Sequence, residues 1–341
     1  MKGFPVGSLA IIASLVAGCA AEEPADNPGG AGGGVIRFDQ SVDAIVPVDA
    51  VVEKVAGGFT FTEGPVWLPG NPSRLLFSDI PENAVYSWSE GEGRQVHLQP
   101  VTPGDSDAGG VGGSNGLALD REGRLLLCEH GNRRIARMGA DGTRITLADR
   151  YGGKRLNSPN DIVIHSSGAA FFTDPPYGLE GQDASEAKEQ SHNGVYRLDP
   201  DGTVTLLVTE LTRPNGIALS PDEGTLYVAN SDRAQDPIWM SYPVLGDLSL
   251  GDGVIFFNAS GIQEPGAPDG MAVDQSGNIY ATGPGGILII SPVGDHLGTI
   301  ALSEIPANVG WGDDGSTLYI TARTGIYRIR LTTPGLGSWA K

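Results

Sequence analysis

Short runs of alternating apolar and polar residues recur along most of the chain. Residues 124–129, 170–173 and 226–229 are examples, and glycine-containing turns such as 199–202 and 220–224 separate such runs. Alternation with a period of two predicts half-buried β-strands, and turns rich in Asp, Pro and Gly reverse the chain between them. No long stretch has the period of a helix, so the pattern predicts an all-β domain.

One polar residue precedes the first strand of each repeat. This signal occurs six times along the chain, at Glu63, Asn115, Asn160, Asn215, Asp269 and Asn308. The intervals of roughly 40 to 55 residues, with several strands in each, are typical of β-propeller blades rather than of helical solenoids. The sequence therefore predicts a single six-bladed β-propeller domain over residues 35–341.

A propeller brings the equivalent strand of every blade to one central channel. The six polar side chains would then form a ring of carboxylate and amide oxygens, which suits Ca²⁺ and suits Zn²⁺ or copper poorly. The alternative is that each Asn or Asp only forms a turn. Their repetition at corresponding points favours a metal site in the central channel.

The first 34 residues have the pattern of an export signal and a tether. Lys2 precedes an apolar run at 4–16, and the small residues 16–18 lead directly to Cys19, which resembles the lipobox of bacterial lipoproteins. We therefore expect a signal peptide at 1–18, a lipid-bearing Cys19 and a Gly- and Pro-rich tether at 19–34. An ordinary secretory peptide, giving a soluble periplasmic or secreted protein, is the alternative.

Charge and cysteine content limit the possible partners. The formal net charge is −19, which repels nucleic acid and anionic lipid, so we expect contact with a membrane only through the N-terminal lipid. The second cysteine, Cys128, lies in an apolar strand and is expected to be a buried, inert thiol without a disulfide partner. We expect a monomer that acts on a small molecule.

Five motifs occur in a fixed order along residues 50–330. They are E-G-P-V-W at 63–67, N-S-P-N-D at 157–161, F-T-D-P-P-Y-G at 172–178, R-P-N-G at 213–216 and P-D-G at 268–270. Together they resemble the senescence-marker-protein, gluconolactonase and luciferin-regenerating-enzyme family of six-bladed propellers. The resemblance implies a divalent cation, most often Ca²⁺, held by Glu63, Asn160, Asn215 and Asp269, with Asn115 contacting substrate or a metal-bound water.

The same resemblance implies a metal-dependent hydrolase that opens a lactone with activated water. Asp161 and Asp174 are the candidates for the catalytic base, although Asp174 could equally be a turn-capping residue. Two other functions stay open. The same metal site could hydrolyse organophosphates or other esters, and an anchored propeller without catalysis could serve as a binding platform.

One segment departs from the pattern of the sugar lactonases in this family. Residues 109–114 are glycines, one Val and Ser114, where relatives often present an arginine to the substrate. His130 and Arg133 of the same blade are the candidates to bind substrate instead, and the alternative is that they are two ordinary exposed basic residues at a strand end. The G-x-S-x-G pattern around Ser114 lacks the strand before it and the helix after it that a serine nucleophile requires.

The lipobox-like segment gives a testable prediction about location. Changing Cys19→Ser removes the thiol that would carry the lipid, so we expect the protein to leave the bacterial cell envelope fraction. Membrane fractionation and mass spectrometry of the N-terminal peptide measure this. An unchanged distribution, with no acyl mass on the wild-type peptide, would contradict the prediction.

Overall fold

The computed structural model describes residues 33–104 and 106–337. The predicted signal peptide, Cys19 and most of the predicted tether lie outside the described residues. The first strand, β1 (Gly33–Arg37), includes the last two residues of the stretch predicted as tether. It is followed by a short helix, α1 (Val42–Ile45). No helix in the described part of the chain is long and apolar enough to cross a membrane.

The prediction of six blades is confirmed, because the strands form six antiparallel sheets of the propeller. Blade 1 contains β3 (Thr62–Leu68), β4 (Arg74–Asp79), β5 (Ala84–Ser89) and β6 (Gly93–Leu98). Blade 2 contains β7 (Ser114–Leu119), β8 (Leu125–Glu129), β9 (Arg134–Met138) and β10 (Arg144–Ala148). A two-stranded hairpin, β11 (Arg150–Tyr151) and β12 (Lys154–Arg155), follows blade 2.

The next two blades have the same order of strands. Blade 3 contains β13 (Ile162–Ile164), β14 (Ala170–Asp174), β15 (Gly194–Leu198) and β16 (Val204–Val208), with a short 3₁₀ helix (Gln182–Ala184) in the insertion before β15. Blade 4 contains β17 (Pro214–Leu219), β18 (Thr225–Asn230), β19 (Ile238–Pro243) and β20 (Val254–Asn258).

The last two blades also use strands from the start of the described chain. Blade 5 contains β21 (Met271–Val273), β22 (Ile279–Gly283), β23 (Gly286–Ile290) and β24 (His296–Leu302), and β1 pairs with β24 as a fifth strand. Blade 6 contains β25 (Asn308–Gly312), β26 (Thr317–Ala322) and β27 (Gly325–Arg330), and β2 (Glu53–Gly57) is its outer strand. This pairing closes the ring of blades with ordinary strand hydrogen bonds.

Apolar side chains fill the spaces between neighbouring sheets. Trp67 of blade 1 stacks on Tyr319 of blade 6 with ring centroids 5.4 Å apart, so the closing blades share one core. Cys128 is fully buried in the core between blades 2 and 3, and burial raises the pKa of its thiol well above the usual value. The predicted burial of Cys128 is therefore confirmed.

The first strands of the six blades surround the channel, and each blade has one residue at the same point of the ring. We call this point the ring position, and it is occupied by Glu63, Asn115, Asn160, Asn215, Asp269 and Ala307. The residue after it, at the inner position, is Gly64, Gly116, Asp161, Gly216, Gly270 or Asn308. In blades 3 and 5 the backbones of the ring residue and of the inner residue both bond to one threonine of the second strand. In blade 3, for example, Asn160 N donates to Thr173 O, and Thr173 N donates to Asp161 O.

The prediction that Asn308 is the sixth residue of the ring is wrong by one position. Ala307 N donates to Thr321 O at 2.8 Å, as Asp269 N donates to Thr282 O in blade 5. Asn308 is paired directly with Thr321. The backbone bonding therefore puts Ala307 at the ring position and the side chain of Asn308 at the inner position, where four other blades have glycine.

The glycines at the inner position allow neighbouring strands to approach closely. A Cβ added to Gly216 would lie 2.1 Å from the carbonyl oxygen of Asp269 in the next blade, and one added to Gly64 would lie 2.3 Å from Asn115 O. Both contacts involve backbone atoms that are held in the ring, so a side chain could fit only if the blades moved apart.

We expect Gly216→Ala to lower the free energy of unfolding by about 3 kcal/mol or more, because the new methyl group overlaps backbone that cannot relax. The matched control is Gly91→Ala, at a turn where an added Cβ has no heavy atom within 4 Å. Denaturant unfolding of both variants measures the difference. Equal stability of the two would show that the inner strands can separate at little cost.

Candidate active site in the central channel

The structure brings together the five polar side chains that the sequence predicts for the ring, at one end of the channel. Glu63, Asn115, Asn160 and Asn215 are buried, and Asp269 is half-buried. Backbone hydrogen bonds fix their neighbours around the ring: Gly116 N donates to Asn160 O at 2.7 Å. Ala307 contributes no polar atom from its side chain, so the ring carries oxygen and amide groups in five of its six blades.

Two polar side chains enter the channel beside the ring, because they occupy inner positions where other blades have glycine. Asp161 accepts hydrogen bonds from Ile162 N at 2.9 Å and from Ile217 N at 3.3 Å. Asn308 donates from Nδ2 to Glu63 Oε2 at 3.1 Å, and its Oδ1 accepts a hydrogen bond from Val309 N at 2.8 Å. The Asn308 amide is therefore held with its NH₂ group toward a ring carboxylate.

The channel is a cavity of about 590 Å³. Asp161 and Asn308 line it near the ring, and Arg121 and Glu223 line it at the turns of the opposite end. Apolar side chains form the walls between these ends, including Leu119, Ile164, Leu219, Val273 and Trp311. The volume lies within the usual range for small-molecule sites.

Three carboxyl groups repel one another in this small volume. Burial, with repulsion by Asp161, raises the pKa of Glu63 to about 8. Burial also raises the pKa of Asp161 to about 6, and burial together with the charges of Glu63 and Asp161 raises the pKa of Asp269 well above its usual value. A cation between these groups would favour their ionised forms.

The side chains present fit a hard cation that takes oxygen ligands. Asn115 Oδ1 is buried and has no hydrogen-bond partner among the described residues, so an acceptor is free beside the carboxylates. Within the described ranges, no group of three or more His, Cys, Asp or Glu side chains is arranged to hold a metal. A cation here would therefore need amide oxygens from the ring as well as carboxylates.

Asp174 lies in the wall between blades rather than in the channel. It is fully buried, and its Oδ2 accepts a hydrogen bond from Asn157 N at 2.7 Å, while burial raises its pKa to about 7. Asp79 and Asn230 end the second strands of blades 1 and 4 and cap the preceding loops in the same way. Of the two candidate bases, Asp161 lines the channel and Asp174 has the geometry of a loop cap.

The alternative that His130 and Arg133 are ordinary exposed residues is wrong, because both are buried. Arg133 Nε donates to the carbonyl oxygens of Leu156 and Asn157, and Nη1 to those of Ala108 and Ala187. The guanidinium thus ties three loops together. Burial lowers the pKa of His130 to about 4, so its imidazole is neutral near pH 7.

Ser114 is not arranged as a hydrolase nucleophile. It begins strand β7, and its hydroxyl lies 2.8 Å from the hydroxyl of Ser78 in blade 1. No helix follows it, which agrees with the sequence-based exclusion of a nucleophile elbow.

Two further residues at the ring were missed by sequence reasoning. Burial raises the pKa of the Tyr177 hydroxyl, in the F-T-D-P-P-Y-G motif, to about 12, and the neighbouring Ser231 and Asn215 oppose this shift. Arg233 is exposed in the loop after β18, and its positive charge partly opposes the rise in the pKa of Asp269. The motif could have indicated Tyr177, whereas nothing in the local sequence singles out Arg233.

The insertion before β15 contacts the start of blade 4. Asp183 in its 3₁₀ helix forms an ion pair with Arg213, the residue two positions before Asn215, and lies 3.7 Å from Lys188 Nζ. The insertion of blade 3 is thereby attached to the loop that leads into the first strand of blade 4.

Comparison with known proteins agrees with this fold. The gluconolactonase of Zymomonas mobilis is 39% identical over 315 residues, which cover 89% of this chain and 87% of that protein. Pentonolactonase of Haloferax volcanii is 27% identical over 271 residues, covering 77% and 81% of the two chains.

Two solved structures share the architecture. A Xanthomonas campestris gluconolactonase superposes with a TM-score of 0.77 and 31% identity, covering 89% of this chain and 98% of its own. Regucalcin from Agrobacterium tumefaciens, a calcium-binding protein, has a TM-score of 0.63 and 20% identity over 82% and 92% of the chains, a likeness of fold. The family model described as "SMP-30/Gluconolactonase/LRE-like region" matches residues 61–324. The chain therefore belongs to the SMP-30/gluconolactonase/LRE-like family.

Proposed function

We propose that the protein is a gluconolactonase-like lactonase that uses a divalent cation, Ca²⁺, to hydrolyse a lactone. The main observation that supports this proposal is that Glu63, Asp269 and Asp161 lie close to one another and to the ring amides at one end of the channel. The 39% identity to a gluconolactonase over most of both chains supports the choice of a lactone as substrate.

The cation would be held by Glu63, Asn160, Asn215 and Asp269, with Asn115 facing substrate or a water. Two carboxylates balance the charge of a divalent cation, and amide oxygens complete the hard ligand set that Ca²⁺ prefers. The unpartnered oxygen of Asn115 supports a role for this residue toward substrate. When bound, the cation supplies positive charge that polarises the lactone carbonyl.

Asp161 is the proposed base. Its carboxylate accepts a proton from water while the water oxygen bonds to the carbonyl carbon. As the ring C–O bond breaks, that proton passes to the leaving alkoxide oxygen, and the product is a hydroxy acid. The pKa of Asp161, raised to about 6 by burial, suits a base that works near neutral pH.

Two other functions are consistent with some of these observations, but they explain fewer of them than a lactonase does. An organophosphate or other ester hydrolase would need the same cation and base, so only substrates distinguish it from a lactonase. A binding platform without catalysis would have no need for three carboxylates that repel one another in a buried channel. The gluconolactonase and pentonolactonase among the relatives therefore favour a hydrolase over a binding platform.

We also propose that Cys19 anchors the protein in the bacterial cell envelope through lipid. The propeller domain would then stay soluble beside the membrane, because the chain is strongly acidic, with a net charge of −19 over the full sequence, and is repelled by anionic lipid. The site would act on lactones outside the cytoplasm.

Replacing a charged ligand should remove cation binding and activity together. We expect Glu63→Gln and Asp269→Asn to lose both, because the remaining amides lack the charge to dehydrate Ca²⁺. Asp161→Asn should still bind Ca²⁺ and lose about 10² to 10⁴ in kcat. Calorimetric Ca²⁺ titration beside steady-state lactone kinetics measures both properties on each variant.

Asp174→Asn is the matched control, since it removes a buried carboxylate of the same neighbourhood that caps a loop. It should lower the free energy of unfolding and leave kcat of the folded enzyme within a few-fold of wild type. If Glu63→Gln keeps full activity in chelator, the cation only braces the channel. If Asp174→Asn and not Asp161→Asn loses kcat, the assignment of the base is reversed.

The glycine run before Asn115 gives a prediction about specificity. Because residues 109–114 present no cationic side chain, we expect kcat/KM for simple or aromatic lactones to equal or exceed that for sugar lactones. A panel measured at one pH with excess Ca²⁺ tests this. A clear preference for glucono-δ-lactone would contradict the prediction and leave the proposed reaction intact, whereas turnover of organophosphates alone would replace the reaction.

A further inference from the structure

The backbone of Asn308 is held from both sides. Asn308 pairs with Thr321 in the next strand of blade 6, and Thr321 Oγ1 donates to its carbonyl oxygen at 3.2 Å. On the side of blade 5, Gly270 N donates to Ala307 O at 2.8 Å, and Thr282 Oγ1 donates to the same oxygen at 3.0 Å. These bonds fix the point at which the Asn308 side chain leaves its strand.

The side chain of Asn308 occupies the space beside Gly270. A Cβ added to Gly270 would lie 1.9 Å from both Cγ and Oδ1 of Asn308 and 2.5 Å from its Nδ2, and these are the three nearest atoms. At Gly64 and Gly216, the inner positions of blades 1 and 4, the nearest atoms to an added Cβ belong to backbone instead. The glycine at position 270 therefore makes room for one particular amide.

The partners of the Asn308 amide fix which way it faces. A backbone N–H only donates, so the amide atom that lies 2.8 Å from Val309 N is the oxygen, Oδ1. The NH₂ group then faces Glu63, and Nδ2 donates to Glu63 Oε2 at 3.1 Å. Asn308 and Glu63 are both buried, so water has little access to compete for this bond.

The same amide determines which oxygen of Glu63 stays available. Gly64 N also donates to Oε2, at 3.0 Å, so this oxygen accepts hydrogen bonds from both Gly64 and Asn308. Neither of these bonds uses Oε1. Two donors on one oxygen restrict rotation of the carboxylate about its Cγ–Cδ bond, and they thereby set the direction of the other oxygen.

We propose that Asn308 is a positioning residue, which holds the Glu63 carboxylate by Oε2 so that Oε1 is presented to the cation of the ring. This inference rests on the proposed cation site and adds to it the residue that orients a charged ligand. Blade 6 has Ala307 at the ring position, so its contribution is to orient the ligand of blade 1. Without the amide, Oε2 keeps only the bond from Gly64, and the carboxylate can rotate while the charge of the site is unchanged.

The test is calorimetric titration of the full chain with Ca²⁺, comparing wild type with Asn308→Leu and Asn308→Gly. Leu keeps a branched side chain of similar size beside Gly270 and removes the donor, whereas Gly is the residue that four other blades have at the inner position. Loss of a residue that orients a metal ligand typically costs about 10- to 100-fold in affinity, so we expect the Kd for Ca²⁺ to rise by that factor in both variants.

Gly270→Ala gives a second test, which leaves every polar group of the ring in the protein. The new methyl group would overlap the Asn308 amide and displace it, so we expect Ca²⁺ binding to weaken as it does in Asn308→Gly. In the double variant the amide is absent, and Gly270→Ala should add no more than about 2-fold to the effect of Asn308→Gly. Two full, additive effects would mean that Gly270→Ala does not act through Asn308, and would count against the inference.

The matched control is Asn278→Leu. Asn278 is also buried, and its Nδ2 donates to Asp274 Oδ2 at 2.8 Å, but this amide and carboxylate lie at the turn between β21 and β22. Its substitution should leave the Kd for Ca²⁺ unchanged. Equal weakening in Asn278→Leu and Asn308→Leu would indicate general damage and reject a specific role for Asn308.

A structure of the wild-type protein with Ca²⁺ bound separates positioning from direct ligation. Glu63 Oε1 should lie about 2.3 to 2.6 Å from the cation, while Asn308 Oδ1 keeps its bond from Val309 N. A distance in the same range between the cation and Asn308 Oδ1 would make Asn308 a ligand and overturn the inference.

Two further results would overturn the inference, and they differ in what they mean for the proposed function. If both Asn308 variants bind Ca²⁺ with the wild-type Kd while Glu63→Gln does not bind, Asn308 has no positioning role and the cation site stands. If the wild-type protein binds no divalent cation, the proposed cation site fails and the inference fails with it.

Discussion

Close approach of the six first strands around one axis is the constraint on which the rest of the site depends. At Gly64, Gly116 and Gly216 the backbone of the next blade fills the space of a side chain, as the 2.1 Å distance from an added Cβ of Gly216 to Asp269 O indicates, and at Gly270 the side chain of Asn308 fills it. Blades 3 and 6 are different because they carry Asp161 and Asn308 there. Only at these two inner positions does a polar side chain enter the channel.

The buried carboxylates are the electrostatic consequence of this packing. Glu63, Asp161 and Asp269 are removed from water and repel one another, so each keeps its proton to a higher pH than an exposed carboxyl group. Amides of Asn308 and Asn215 supply neutral donors, which reduce the repulsion without removing it. The cation proposed for the ring would favour the ionised forms of all three groups, so the proposed chemistry depends on the same packing as the fold.

Much of the fold and the ring could be predicted from sequence because their signals are local. An Asn, Asp or Glu before an apolar strand marks the start of a blade, and five of the six ring positions follow from it. The sixth was misplaced because Asn308 has the expected residue type, whereas the strand pairing puts Ala307 at that point. Residue type alone does not determine the register of a strand.

Packing between loops explains the features around the ring that could not be predicted from the sequence. The glycine run before Asn115 is there for packing: a Cβ at Gly110 would lie 2.2 Å from His130 O, and one at Gly113 would lie 2.9 Å from Asn83 Cα. His130 and Arg133 are buried under the same interlocked loops, so neither basic side chain is exposed beside the ring. Charged and polar groups that influence the ring come also from Tyr177 and Arg233, in loops of blades 3 and 4. Gly110 and Gly113 therefore reflect how the loops interlock, and the surroundings of the ring are built by several blades together.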